Sequence, residues 1–102
     1  MENINNAVTN KYCVVRGKYF GVFAGTVEIV DGNRVLLKDA RRLWYWDGAA
    51  SLSQLALEGV KRPENCKFTV TVQSVLLLDV IEIIPASEEA MRNISEVPVW
   101  KR

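Results

Sequence analysis

Arg41, Arg42, Trp44 and Trp46 stand in the run RRLWYW, and Gly48, Ala49 and Ser51 follow in DGAAS. A guanidinium presents a planar fork that clamps a phosphate through two hydrogen bonds. An indole face stacks on a nucleobase, a contact worth ~1–3 kcal/mol. Ser51 with Gln54 spells a capping box, so a helix is expected to begin there, and a helix start offers unpaired amide hydrogens to an anion. Gly48 and Ala49 are small enough to let such a group reach the backbone. A strand alternates its faces, which puts Arg42, Trp44 and Trp46 on one side and Arg41, Leu43 and Tyr45 on the other. Together these parts would make a pocket for a flat anion of the nucleotide kind. The same residues admit a plainer reading, in which the aromatics fill core and subunit contacts and the arginines pair with Asp39 and Asp47. A second candidate is GKYFG, residues 17 to 21. Lys18 and Tyr19 could present a cation and a ring face there, or the turn could simply be tight, with Phe20 plugging the core.

Other chemistry is missing. The sequence has no histidine, which removes Ser-His-Asp and Cys-His nucleophiles, two-histidine metal sites and imidazole bases. Ser51 and Ser53 lack a G-x-S-x-G setting, and neither a P-loop nor G-x-G-x-x-G occurs. Asp31, Asp39 and Asp79 have no metal-binding or acid–base spacing; Asp79 and Glu82 would approach each other only if their strand bulged. Cys13 and Cys66 have no C-x-x-C context and are expected to stay reduced, one in a strand and one in a loop. A non-enzymatic binding protein without a cofactor is expected. An enzyme would need a carboxylate or lysine base, or a carboxylate-held metal.

The elements that must position these residues follow from periodicity. KYCVVR (11 to 16) and VFAGTVEIV (22 to 30) are strands, Asp31-Gly32 marks a hairpin, and NRVLLKDA (33 to 40) returns, with RRLWYW continuing it after a bend. The helix from Ser51 ends near Gly59, before Pro63. CKFTVTVQ (66 to 73) alternates as a half-buried strand, and SVLLLDVIEIIP (74 to 85) is a core strand with an interruption near Asp79. Ser87-Glu88-Glu89 opens a second short helix running through Ile94, and Val97 to Trp100 is an extended tail. This pattern predicts one α+β domain over residues 1 to 102 with a flexible arm at 1 to 10. Its centre is a small, strongly bent, five-stranded antiparallel barrel-like sheet, with one short helix inserted after the third strand and another at the C-terminal end.

Composition sets limits. With 102 residues, 49% of them hydrophobic, the chain can build one core of modest stability, for which homo-oligomerisation would be a natural supplement. A net charge of +1 gives no general field for nucleic acid. No apolar run reaches the ~18 residues of a membrane span. The polar start MENINNAVTN is not a secretory signal, so the cytosol is expected.

GTVEIVDGNRVLLKDA resembles the first signature of Sm-like proteins, and VLLLDVIEIIPAS is similar to the final strands of that fold. The resemblance implies a small SH3-like barrel, subunit rings and RNA bases bound in a pore; the inserted segment 41 to 66 departs from it. DARRLWYWDGAASLSQLALEGVK with VPVW resembles a group of small tailed-bacteriophage proteins. That resemblance implies a phage accessory protein acting in the host bacterial cytosol, of a kind that antagonises defence. The expectation is a homo-oligomer that sequesters a nucleotide-type signal. The alternatives are an inhibitor that binds a host defence protein, and an Sm-like binder of single-stranded nucleic acid.

Overall fold

The computed structural model describes residues 4–101 as a mixed α+β chain, with a six-stranded antiparallel sheet that does not close on itself and two helices. The elements are β1 (Tyr12–Gly17), β2 (Val22–Asp31), β3 (Arg34–Tyr45), α1 (Leu52–Glu58), β4 (Lys67–Phe68), β5 (Val72–Leu77), β6 (Val80–Pro85) and α2 (Glu88–Glu96), with short 3-10 turns at Ile4–Ala7 and Pro63–Asn65. Strand order is β4-β3-β2-β1-β6, and β5 joins the free side of β3 next to β4.

Six strands rather than five arise because the two C-terminal runs break in different places. The alternation of residues 66 to 73 predicts one strand, but the ladder lapses after Phe68 and resumes at Val72. Thr69 is drawn out of it: its N–H donates to the Arg42 carbonyl at 3.0 Å and its hydroxyl accepts the Arg42 N–H at 3.1 Å. The second run divides at Asp79, which takes a left-handed φ of 59° and turns the chain from β5, beside β3, to β6, beside β1. The first hairpin also turns one residue later than expected. Asp31 pairs with Arg34, so Gly32 and Asn33 are its central residues.

A second left-handed residue, Asp39 (φ 50°), bends β3. Thr26 pairs with Lys38 and Ala24 with Arg41, so β3 spends one extra residue there, which is a bulge. Before it Val35 and Leu37 face inward; after it Arg41 and Leu43 are buried on the opposite face. Both faces of the sheet are thereby covered. Cys13, Val15, Phe23, Val27, Val35, Leu37, Ala40 and Leu77 fill one side. Val14, Val22, Ala24, Leu43 and Phe68 meet Leu55, Ala56, Ala90 and Ile94 of the helices on the other. Each fully buried large side chain contributes about 1.5–3 kcal/mol.

The helices begin as their sequences predict. The Ser51 hydroxyl accepts the Gln54 N–H at 3.1 Å, and Gln54 reaches back to the Ala50 N–H at 2.8 Å, one residue beyond the usual capping-box partner. Ser87 caps α2 by accepting the Ala90 N–H at 2.9 Å. The arm expected at residues 1 to 10 falls partly outside the described residues. Residues 4 to 10 are tied to the sheet, with the Asn10 N–H on the Val27 carbonyl at 2.7 Å and Val8 packed against the cluster around Cys13 and Val15. The tail also docks: Val99 bridges to Phe68, and the Trp100 N–H donates to the Phe68 carbonyl at 2.8 Å. No helix among the described residues is long and apolar enough to cross a membrane.

Candidate functional site

Two adjacent arginines have opposite fates, and the bulge at Asp39 decides which goes where. Arg41 is buried on the helix side of the sheet. Its Nε donates to the Thr69 carbonyl at 2.9 Å, Nη2 to Phe68 at 3.1 Å, and Nη1 to Ile94 and Val97 at 3.1 and 2.8 Å. That fork ties β4 and the end of α2 to β3, and it accepts no ligand. Burial pulls the Arg41 pKa below its ordinary value, with Tyr12 acting in the opposite direction. The sequence names Arg41 as a phosphate clamp; the structure makes it an internal staple.

Arg42 points to the other face. Its guanidinium carbon lies 4.4 Å from the Phe23 ring centroid, and Nη1 donates to the Phe20 carbonyl at 2.6 Å. Arg16, Arg34, Arg62 and Arg92 each pair with a carboxylate, whereas Arg42 has none among the described residues. Most of its five donors are therefore unspent, at a half-buried position where a charged hydrogen bond is stronger than in open water.

The GKYFG turn comes to Arg42 rather than standing apart from it. Phe23 of β2 pairs with Arg42 of β3, which brings the β1–β2 turn alongside. Gly17 donates its N–H to the Gly21 carbonyl at 2.9 Å, and Phe20 folds back until its ring covers Gly17. A Cβ at position 17 would overlap that ring, so the turn requires glycine there. Phe20 then meets Phe23 edge-on, with centroids 5.7 Å apart. The result is a cleft of about 340 Å³ lined by Tyr19, Phe20, Gly21, Val22, Arg42, Leu43, Trp44 and Trp46. Trp44 is 64% exposed and Tyr19 77%, so both present open ring faces. Trp46 is half-buried against the helical core, which fixes it as a wall.

Of the sequence candidates, Arg42, Trp44, Trp46 and Tyr19 thus share one cleft. Lys18 sits at its edge, with Nζ 5.4 Å from the Tyr19 ring centroid. Gly48, Ala49 and Ser51 lie elsewhere. Gly48 has a φ of 98° and packs so tightly on the Lys61 and Arg62 amides that a Cβ would clash. Ala49 packs on the helical core, and Ser51 spends its hydroxyl on the cap. The start of α1 therefore takes no part in the cleft. Asp47 does not pair with Arg41 or Arg42; it accepts from Asn65 Nδ2 at 3.0 Å and Arg62 Nη1 at 2.9 Å, and these bonds hold its carboxyl below the ordinary range.

Sequence reasoning missed a second cavity. About 300 Å³ in volume, it shares Tyr19, Phe20 and Arg42 with the first and is completed by Phe23, Val75, Leu76, Leu77, Leu78 and Asp79. The apolar residues on β5 read only as strand core, and no local signal says that they end beside Arg42.

A family model described as a domain of unknown function (DUF6948) matches residues 10–94. The chain belongs to the DUF6948 family. No curated protein and no solved structure matches it. The DUF6948 match spans all six strands, so every residue lining both cavities lies inside the family domain. Among the described residues, no group of three or more histidine, cysteine or carboxylate side chains is placed to hold a metal.

Proposed function

We propose that this chain is a non-enzymatic phage accessory protein that binds and sequesters a nucleotide-type anion in the host bacterial cytosol, acting as a homo-oligomer against a host defence signal. The observation that carries the reading is Arg42: a half-buried guanidinium over an aromatic face, without a carboxylate partner, in a cleft walled by Tyr19, Trp44 and Trp46. A flat base would stack on the indole or phenol face, and phosphate oxygens would take the open donors. The cleft offers no nucleophile with an adjacent base, so a captured ligand would stay intact.

Self-association is supported by the sheet's open edges. Among the described residues β5 pairs only with β3 and β6 only with β1, and Val72 and Ile81 are exposed along them. Strand order and sharp bending also fit a small Sm-like or SH3-like barrel left open on one side, although +1 net charge gives little support for a nucleic-acid ring. A second reading has its own observation: Trp44 and Tyr45, adjacent and both exposed, are the residue types that anchor protein interfaces, which favours an inhibitor of a host defence protein.

Thermal unfolding against a panel of cyclic oligonucleotides and ADP-ribose derivatives tests the proposal. At least one compound should raise Tm in a concentration-dependent way and be recovered chemically unchanged. A flat response across the panel, with a bacterial protein co-purifying instead, would transfer support to the inhibitor.

A further inference from the structure

We infer that the site takes two ring systems joined by phosphate, a dinucleotide-type ligand, with one base in each cavity flanking Arg42; this rests on the nucleotide reading of the cleft. Each cavity alone, at about 340 and 300 Å³, sits at the small end of ligand sites, ~300–1,000 Å³. They are not independent, because Tyr19, Phe20 and Arg42 line both. The bond from Arg42 Nη1 to the Phe20 carbonyl holds that shared wall together.

The chemistry of the two sides fixes what goes where. The first cavity has indole faces and no carboxylate in its lining, which suits a stacked base. The second has an apolar floor of Phe23, Val75 and Leu77, and Asp79 at its rim. A carboxylate repels phosphate but accepts hydrogen bonds from a base edge. Asp79 lines that cavity with an acceptor to spare: Oδ1 takes the Asn33 amide at 3.1 Å, its own backbone carbonyl takes the Lys18 N–H at 2.9 Å, and Oδ2 has no partner among the described residues. The remaining place for anionic oxygens is the shared wall, at Arg42. The order base, phosphate, base follows from that arrangement, and a mononucleotide would leave one cavity empty.

Calorimetric titration with linear diadenylate, cyclic di-AMP and AMP separates the outcomes. At least one two-base compound is expected to bind about ten-fold or more tightly than AMP, the size of one added stack. Leu76→Trp, at an exposed position lining only the second cavity, should fill it and bring the two-base compounds down to the affinity of AMP. Trp44→Ala should weaken all three ligands. Equal affinity for AMP and both two-base compounds in the unaltered protein, or a preference that survives Leu76→Trp, would overturn the two-ring inference and leave the single-ring reading standing. If no compound binds at all, both fall together.

Discussion

Arg42 donates to the carbonyl of Phe20 at 2.6 Å, joining the middle of β3 to a turn 22 residues earlier in the chain. That one bond makes a single cleft from two segments that the sequence offers as separate candidates. It uses a small part of the guanidinium and aims the rest outward.

Replacing Arg42 therefore separates binding from folding. Arg42→Gln should cut affinity for a nucleotide anion by about ten- to a hundred-fold, as expected when a charged hydrogen-bond donor worth ~1.5–3 kcal/mol is lost. Arg42→Lys should recover only part of it, because an ammonium cannot make the bidentate contact. Circular dichroism should show both variants folded, since the backbone bond from Arg42 to Thr69 does not depend on the side chain.

Arg41 should behave in the opposite way. Arg41→Ala removes four hydrogen bonds to carbonyls, three of them buried, at Thr69, Phe68, Ile94 and Val97. Chemical denaturation should reveal a loss of about 3 kcal/mol or more. Any residual folded protein should keep its ligand affinity. Equal effects of Arg41→Ala and Arg42→Gln on stability would contradict this division of labour.

How far the sequence reaches is plainest in these two neighbours. Strand alternation alone separates Arg42, Trp44 and Trp46 from Arg41; the cleft lining brings those three together but also takes in Leu43, which alternation assigns to the other face. What Arg41 does instead depends on the C-terminal carbonyls of α2, which lie 53 and 56 residues away and leave no local mark. The capping-box signal at Ser51 correctly predicts a helix start, but it says nothing about whether that start faces a ligand; tight packing of Gly48 on Lys61 turns it away from the cleft. Thr69 has the pattern of a strand residue, and its contacts to both arginines interrupt the strand. Lys18 and Tyr19 can be recognised as candidates from their glycine-bounded turn, yet their approach to Arg42 comes from the β2–β3 register, a long-range pairing.

Gly17 carries a further prediction. Gly17→Ala would force the Phe20 ring from its place, opening the wall shared by the two cavities. Ligand affinity should fall by about ten-fold or more, with a stability loss of about 1–3 kcal/mol from overpacking. Chemical-shift changes centred on Phe20 and Phe23 would verify the cause.

Alkaline pH should unfold the protein through Cys13 and Tyr12. Burial pushes the Cys13 thiol up to about 11 and the Tyr12 phenol up to about 12. Both groups ionise more easily in the unfolded chain, so their contribution is complete below pH ~9 and is lost as pH climbs through those raised values. Each can add a slope of at most about 1.4 kcal/mol per pH unit in that window. Denaturation midpoints should hold steady through neutral pH and fall steeply above pH ~9; Cys13→Ala, corrected for its lost packing, should soften the fall.

Intrinsic tryptophan fluorescence during nucleotide titration reads the cleft itself, because Trp44 and Trp46 line it while Trp100 lies against Lys67 in the tail. Binding at the Arg42 cleft predicts saturable quenching that persists in Trp100→Phe and shifts to about ten- to a hundred-fold higher ligand concentration in Arg42→Gln. Quenching that is unsaturable, or that is the same with and without the Arg42 guanidinium, would contradict it.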